Sequence, residues 1–253
     1  MKVSIITVAF NSEKTIEKTI QSILSQDYKN IEYLIIDGKS TDNTNEICNK
    51  YKNNISKIVS EKDRGIYDAM NKGIQLATGD IIGILNSDDW YANNHVISDV
   101  VTTMQKHNAD ALYGDLIYVD EKNIHRTKRY WKSGKFNKRK FKFGWMPPHP
   151  TVFIKKSLYE KYGLFNLTLQ SAADYELMLR YFYKNNVVPC YLPKVITVML
   201  QGGKSNASFH NRVKANREDR IAWKINNLNP NIFTLSLKPI RKIPQFLYRK
   251  QIK

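Results

Sequence analysis

The chain predicts an α/β fold built on a parallel sheet, and three observations carry that prediction. Apolar strands and amphipathic helices alternate four times between Val3 and Leu85 with short connections, the pattern of parallel strands joined by helical crossovers. Each strand closes on a polar cluster, so four loops converge on one rim of the sheet. The fourth strand, with Ile81, Ile82, Ile84 and Leu85, reads as buried on both faces and stops at Asn86-Ser87-Asp88-Asp89. Two adjacent carboxylates repel, and a divalent cation with oxygen ligands would relieve the repulsion and hold a diphosphate. Capping of the next helix is the plainer use of the same aspartates.

Taken in order, Val3 to Phe10 is a β-branched first strand, and Asn11-Ser12 supplies a helix N-cap ahead of Ile16, Ile20, Ile23 and Leu24 at helical spacing. Ile31 to Ile36 is the second strand, ending at Asp37-Gly38-Lys39-Ser40-Thr41-Asp42, and a helix with Ile47 and Tyr51 follows. Ile55 to Ser60 is a short third strand that stops at Glu61-Lys62-Asp63-Arg64-Gly65. Tyr67, Met70, Ile74 and Ala77 line one face of the next helix, which Gly79 terminates. Beyond Trp90 the pattern changes. Val96 to His107 is a helix, Ala111 to Val119 a strand and Ile124 to Trp131 its hairpin partner. Three prolines around His149 make a rigid turn into a strand, Lys156 to Tyr162 is a helix closed by Gly163, and Ala172 to Tyr183 is another helix. Val187 to Met199 supplies one or two strands interrupted by Pro189 and Pro193; Gln201 to Ser205 is a Gly-rich loop, and a basic helical stretch runs on until Pro239 and Pro244 break it.

At 253 residues, 42% of them hydrophobic and 15 of them Tyr, the chain can bury one full core with a small appendage. No run of apolar residues is long enough to span a bilayer and no leader pattern opens the chain, so the expected location is the cytosol. Cys48 and Cys190 are its two cysteines and show no metal-binding spacing. Forty Lys and Arg against 23 Asp and Glu give a net charge of +17, which calls for an anionic partner or a solubilising surface. The excess is local: ten basic residues and no acid lie between Lys122 and Lys142, and twelve basic residues with Glu218 and Asp219 lie between Lys204 and Lys253. An acidic metal site in the first half would then face an anionic surface or substrate through the second.

Five motifs in order resemble those of a family 2 glycosyltransferase, an inverting enzyme of the GT-A fold such as builds bacterial surface polysaccharides. They are Ser4 to Asn11, Ile36 to Asp42, Ser60 to Gly73, Asn86 to Asp89 and Ala172 to Arg180. The resemblance covers residues 1–206, divided into a nucleotide-sugar half (1–120) and an acceptor half (121–206), with 207–253 as a basic C-terminal helical extension. It implies that Thr7, Ala9, Asn11 and Asp37 line the nucleoside pocket, with a carboxylate accepting the uracil imide N–H. By the same resemblance Asp63, Arg64, Asp68 and Asn71 flank the ribose and diphosphate. Asn86, Ser87 and Asp88 stand in the place of the family's DxD, with Asp88 and Asp89 on Mn²⁺ or Mg²⁺. Asn86 is a departure from that motif, and so is Gly38, where many relatives carry a second acid. Asp174 matches the family's catalytic base, the group that takes the proton of the acceptor hydroxyl; taken alone, the same aspartate reads as a helix N-cap. His149 is either an acceptor contact or a structural turn residue. Gly203 and Ser205 belong either to a lid or to a bare connection.

Competing functions lack their signatures. No GxGxxG follows the first strand, which excludes a dinucleotide-binding oxidoreductase, and the Gly-rich loop of a sugar nucleotidyltransferase is missing from the same place. A basic nucleic-acid-binding protein is the alternative from another class, but it leaves the carboxylate rim without a use, so no specific nucleic acid is expected. A polyprenyl-diphosphate-linked saccharide acceptor accounts better for the charge. Anionic lipid at the inner face of the plasma membrane would attract Arg241, Lys242, Arg249, Lys250 and Lys253, while Ile240, Ile243, Phe246, Leu247 and Tyr248 dip into the interface.

Overall fold

The computed structural model describes residues 1–201, 209–231, 234, 237, 241 and 243–247. Strands β1 (Val3–Ala9), β2 (Ile31–Asp37), β3 (Lys57–Ser60) and β4 (Ile81–Ile84) run parallel in the spatial order β3-β2-β1-β4. Helices α1 (Ile16–Leu24), α2 (Thr44–Lys50) and α3 (Ile66–Leu76) connect them. The two-residue period of the strands divides their side chains between two cores. Val3, Ile5, Tyr33, Ile35 and Ile81 pack with α1 on one face, whereas Ile6, Val8, Leu34, Ile36, Ile82 and Ile84 pack with α3 on the other. Both faces are covered, which is why these strands read as unbroken apolar runs.

The second half extends the sheet beyond β4. Its elements are β5 (Asp89–Tyr91), α4 (Val96–Lys106), β6 (Ala111–Val119), β7 (Thr127–Trp131), β8 (Phe153–Lys155), α5 (Lys156–Tyr162), α6 (Ala173–Met178) and β9 (Cys190–Leu200). β8 pairs antiparallel with both β4 and β6; β6 pairs parallel with β9, β9 antiparallel with β5, and β7 antiparallel with β6. The expected α/β architecture, with a mostly parallel sheet flanked by helices, is what forms.

Several local expectations need correction. Asn11-Ser12 does not cap α1, which starts four residues later behind Thr15. Asn11 instead adopts a left-handed φ of 50°, and its side chain accepts from the backbone N–H of Thr41. Gly79 does not end α3: Ala77 is already extended, and Gly79 is needed for space, since a Cβ there would lie 2.7 Å from the backbone nitrogen of Ser4. β3 starts at Lys57 rather than Ile55. Pro193 does not interrupt β9, but the β6–β9 register shifts twice, between Tyr113 and Leu116, where the strand accommodates it. The helix at Ala173 passes into a π-helical turn, Leu179–Lys184; Pro244 opens a short helix, α8 (Pro244–Leu247), and Pro239 lies outside the described residues.

Helix α7 (Phe209–Ile225), from the basic C-terminal stretch, packs against α6. Trp223 is fully buried, meets the Tyr183 ring at 5.2 Å and donates its indole N–H to the Tyr175 hydroxyl at 2.9 Å. α8 rests on β7, where Gln245 accepts from Arg129 Nε at 2.6 Å, and leaves Ile243 and Phe246 exposed. Ile240, Lys242, Tyr248, Arg249, Lys250 and Lys253, like Gly203 and Ser205, lie outside the described residues. No helix among the described residues is long and apolar enough to cross a membrane. Trp223→Ala is expected to lower unfolding free energy by about 3–5 kcal/mol, measured by denaturant titration, because the cavity opens between α6 and α7.

Candidate active site

The polar ends of β1 to β4 meet on one rim. Asp37, the last residue of β2, is fully buried, and a charge there needs donors. It has four. Its Oδ2 accepts from the Ser40 N–H at 3.0 Å, Asn45 Nδ2 at 2.9 Å and Ser60 Oγ at 2.6 Å, and its Oδ1 accepts from the Ser40 hydroxyl. Burial alone would raise this carboxyl, but the hydrogen bonds outweigh it and hold the group below its usual range. The loop after β1 is tied in as well: Asn11 N–H donates to Ser40 Oγ at 2.8 Å, and the Ser12 and Ser87 hydroxyls share a hydrogen bond of 2.7 Å. That last contact joins the β1 loop to the carboxylate turn after β4.

The other expected nucleotide residues divide between the rim and its supports. Thr7 is fully buried on the α1 face, where its Oγ1 accepts from the Tyr33 hydroxyl at 3.1 Å, and Ala9 is buried beside it. Asn71 is buried and spends its amide on Phe165, donating to the carbonyl and accepting from the N–H at 2.9 Å each. Asp68 accepts from the backbone N–H of Arg64 at 3.0 Å and from its guanidinium at 2.9 Å, and that guanidinium keeps the carboxyl below its usual range. Asp63 is half-buried; its Oδ1 accepts from the Gly65 N–H at 2.9 Å.

In the turn after β4, Asp88 is half-exposed and Asp89 fully buried. Asp89 Oδ2 accepts from Asn86 Nδ2 at 3.1 Å, while Asp89 Oδ1 and Asn86 Oδ1 are buried acceptors without partners. Burial, and secondarily the charge of Asp88, push the Asp89 carboxyl well above its usual range. Among the described residues no three His, Cys, Asp or Glu side chains gather at one point. One exposed carboxylate with neighbouring oxygens suits Mg²⁺ or Mn²⁺, which are commonly held by one or two carboxylates with substrate phosphates completing the shell.

Asp174 comes to this rim from α6. It does not cap its helix, whose N-cap position is Ala172. Its Oδ1 accepts from the hydroxyl of Tyr67, in the first turn of α3, at 3.2 Å. Burial, then the Asp174 charge, raise the Tyr67 phenol, so it stays an O–H donor. The Tyr67 ring stacks on Phe165 at 5.5 Å, and Phe165 meets His149 at 6.3 Å. His149 Nε2 is buried without a partner; burial lowers this imidazole and the Asp174 charge partly restores it. Its helical spacing marks Tyr67 as a residue of the apolar helix face and gives no sign of the hydroxyl contact, although Tyr67 lies inside the Ser60 to Gly73 motif. Behind Asp174, Glu176 pairs with Arg180 at 3.0 Å, and Arg180 donates to the carbonyls of Tyr162, Gly163 and Leu164. Two surface clefts, one at His107, Asp110 and Val188 and one at Lys138, Phe143 and Tyr183, contain none of these residues.

Asp37→Asn would turn an amide NH₂ toward donors, at a cost of roughly 1–3 kcal/mol. Because the native carboxyl is held below its usual 3.8, the advantage of the wild type over this variant is full above about pH 4 and shrinks as pH falls further. Denaturant unfolding of both proteins across this range measures it.

The model of glycosyl transferase family 2 matches residues 4–163. A PGL/p-HBAD biosynthesis glycosyltransferase of Mycobacterium bovis is 29% identical over 208 residues, covering 80% of this chain and 78% of the relative. An uncharacterised glycosyltransferase of Mycobacterium tuberculosis is 33% identical over 185 residues, 70% of this chain and 68% of the relative. The fold is similar to that of S. aureus TarS 1-349 in complex with UDP-GlcNAc, with a TM-score of 0.71 at 20% identity over 94% of this chain and 69% of that one. It is also similar to a mannosyltransferase of Pyrobaculum calidifontis in complex with GDP-Man and Mn²⁺, with a TM-score of 0.65 at 17% identity over 95% of this chain and 69% of that one. The motifs, the fold and the family match agree, and the chain belongs to glycosyl transferase family 2.

Proposed function

We propose that this glycosyltransferase moves a sugar from a UDP-sugar to a saccharide acceptor, with inversion at the anomeric carbon and with Mn²⁺ or Mg²⁺ on Asp88. One observation supports the reading: Tyr67, in the first turn of the helix that opens after the Asp63–Gly65 loop, donates its hydroxyl to Asp174, which brings this carboxylate to the start of that helix. The β1 to β4 loops hold the nucleotide, with Asn11 and Ser12 bracing the β2 and β4 loops against each other. A cation bound at Asp88 supplies charge neutralisation for the diphosphate leaving group. Asp174 takes the proton of the attacking hydroxyl, and a single displacement inverts the centre. Tyr67 and Phe165 position the carboxylate, and neutral His149 lies beside it as an acceptor contact.

The acceptor we assign is a saccharide on a polyprenyl diphosphate at the inner face of the plasma membrane. Support comes from the basic C-terminal stretch, from exposed Ile243 and Phe246, and from the relatives named for PGL/p-HBAD biosynthesis. An anionic surface contributes roughly 1 kcal/mol per nearby Lys or Arg, enough for reversible peripheral attachment.

Calorimetry with UDP, with and without Mn²⁺, tests the donor site. Wild-type affinity is expected to depend on the metal, Asp88→Ala to lose that dependence by at least tenfold, and Asp89→Asn to retain it, because the Asp89 side chain is fully buried while Asp88 is half-exposed. Equal UDP binding by wild type in chelator would remove the metal from the account. Transfer from UDP-sugars, with the product anomer read by NMR, tests inversion.

A further inference from the structure

We infer that Asp63, rather than Asp37, is the residue that reads the nucleotide base; this rests on the donor-binding role proposed above. Asp37 is fully buried and both its oxygens are taken by donors of the chain itself. The next position is Gly38. Its φ is not left-handed, so backbone conformation does not require the glycine. Space does. A Cβ built on Gly38 would lie 2.6 Å from Asp63 Oδ2 and 3.3 Å from Asp63 Cγ. The Asp63 carboxylate therefore occupies the volume into which any side chain at position 38 would project.

The two oxygens of Asp63 are not equivalent. Oδ1 is held by the Gly65 N–H at 2.9 Å, whereas among the described residues no donor reaches Oδ2. The same built Cβ lies 3.3 Å from Phe10 Cδ2, and Phe10 is 53% exposed. An exposed ring beside one available carboxylate oxygen, at the ends of β1 and β2, fits a flat heterocycle that stacks and presents one N–H. Uracil does so through N3–H, between two carbonyls. Cytosine presents an acceptor at N3, and guanine presents two donors to a carboxylate that has one oxygen to offer. The site selects uridine nucleotides for this reason.

Asp63→Asn is the sharpest variant. The Gly65 N–H keeps an acceptor in the amide oxygen, which turns the NH₂ to where Oδ2 was. A donor then faces the base and matches N3 of cytosine. Calorimetry with UDP, CDP and GDP in the presence of Mn²⁺ is expected to show wild type favouring UDP. Asp63→Asn should weaken UDP on the order of 10- to 100-fold and narrow or reverse the UDP-over-CDP ratio. Gly38→Ala leaves every charge in place and only displaces Asp63, and it should weaken UDP in the same direction. In Gly38→Asp with Asp63→Ala, the new carboxylate rises from the β2 loop into the vacated volume and should restore the UDP preference that Asp63→Ala loses. A wild-type UDP-over-CDP ratio in Asp63→Asn would overturn the assignment while leaving the donor site intact. Failure of the wild type to bind any of the three nucleotides would overturn the donor reading and this inference together.

Discussion

A carboxylate buried at the end of β2 imposes the geometry of the whole rim. Asp37 has no exposed surface, so its charge is tolerated only with its oxygens saturated, and the donors come from the turn after β2, from α2 and from the end of β3. Three segments are thereby fixed around one point. Ser40, drawn in by Asp37, in turn accepts from Asn11, and Thr41 donates to Asn11, which brings the β1 loop to the same place. The Ser12–Ser87 contact then carries the constraint to the turn bearing Asp88. Asp63 and Asp88, on the loops after β3 and β4 at either side of this anchored centre, are partly exposed.

The base is held by a separate support. Glu218 of α7 accepts from the N–H groups of Ser171 and Ala172 at 2.7 and 3.1 Å, which fixes the entry to α6 just ahead of Asp174. Asn226 donates to Glu176 at 2.9 Å, and Arg180 laces Glu176 to the turn after α5. Glu176 is 1% exposed and satisfied by these partners, so it belongs to the scaffold, and Asp174 is the carboxylate of this helix that faces outward. Residues from the basic C-terminal stretch therefore help to orient the proposed base as well as carrying charge.

Much of the fold was legible because strands buried on both faces leave unbroken apolar runs. β1, β2, β4 and β6 were read to within a residue or two on that signal, and α5 was read with its Gly163 terminus. What failed was local and had local causes. Asn11 and Ser12 have capping chemistry, but a left-handed Asn11 uses its side chain across to the β2 loop instead. β5 has three residues and no readable period. In the site, motifs marked positions without side-chain direction. Thr7 and Asn71 stand in family motifs, yet the first faces Tyr33 in the core and the second clamps Phe165. Tyr67 counted as an apolar face residue because periodicity registers its ring and not its hydroxyl. The closeness of Gly38 and Asp63, 25 positions apart in the chain, follows from β2 and β3 being neighbours and has no sequence signal of its own.

The central claim is that one rim binds the donor through the β1 to β4 loops while a carboxylate from α6 removes the acceptor proton. Asp174→Asn separates these roles. The asparagine keeps the size of the side chain, leaves the helix start unchanged because Ala172 is the N-cap, and still accepts from the Tyr67 hydroxyl, but it cannot take a proton. Transfer rate and UDP affinity measured on this one variant decide the matter. The account predicts a rate lower on the order of 10²- to 10⁴-fold with UDP affinity close to that of the wild type. Near wild-type transfer by Asp174→Asn would contradict it.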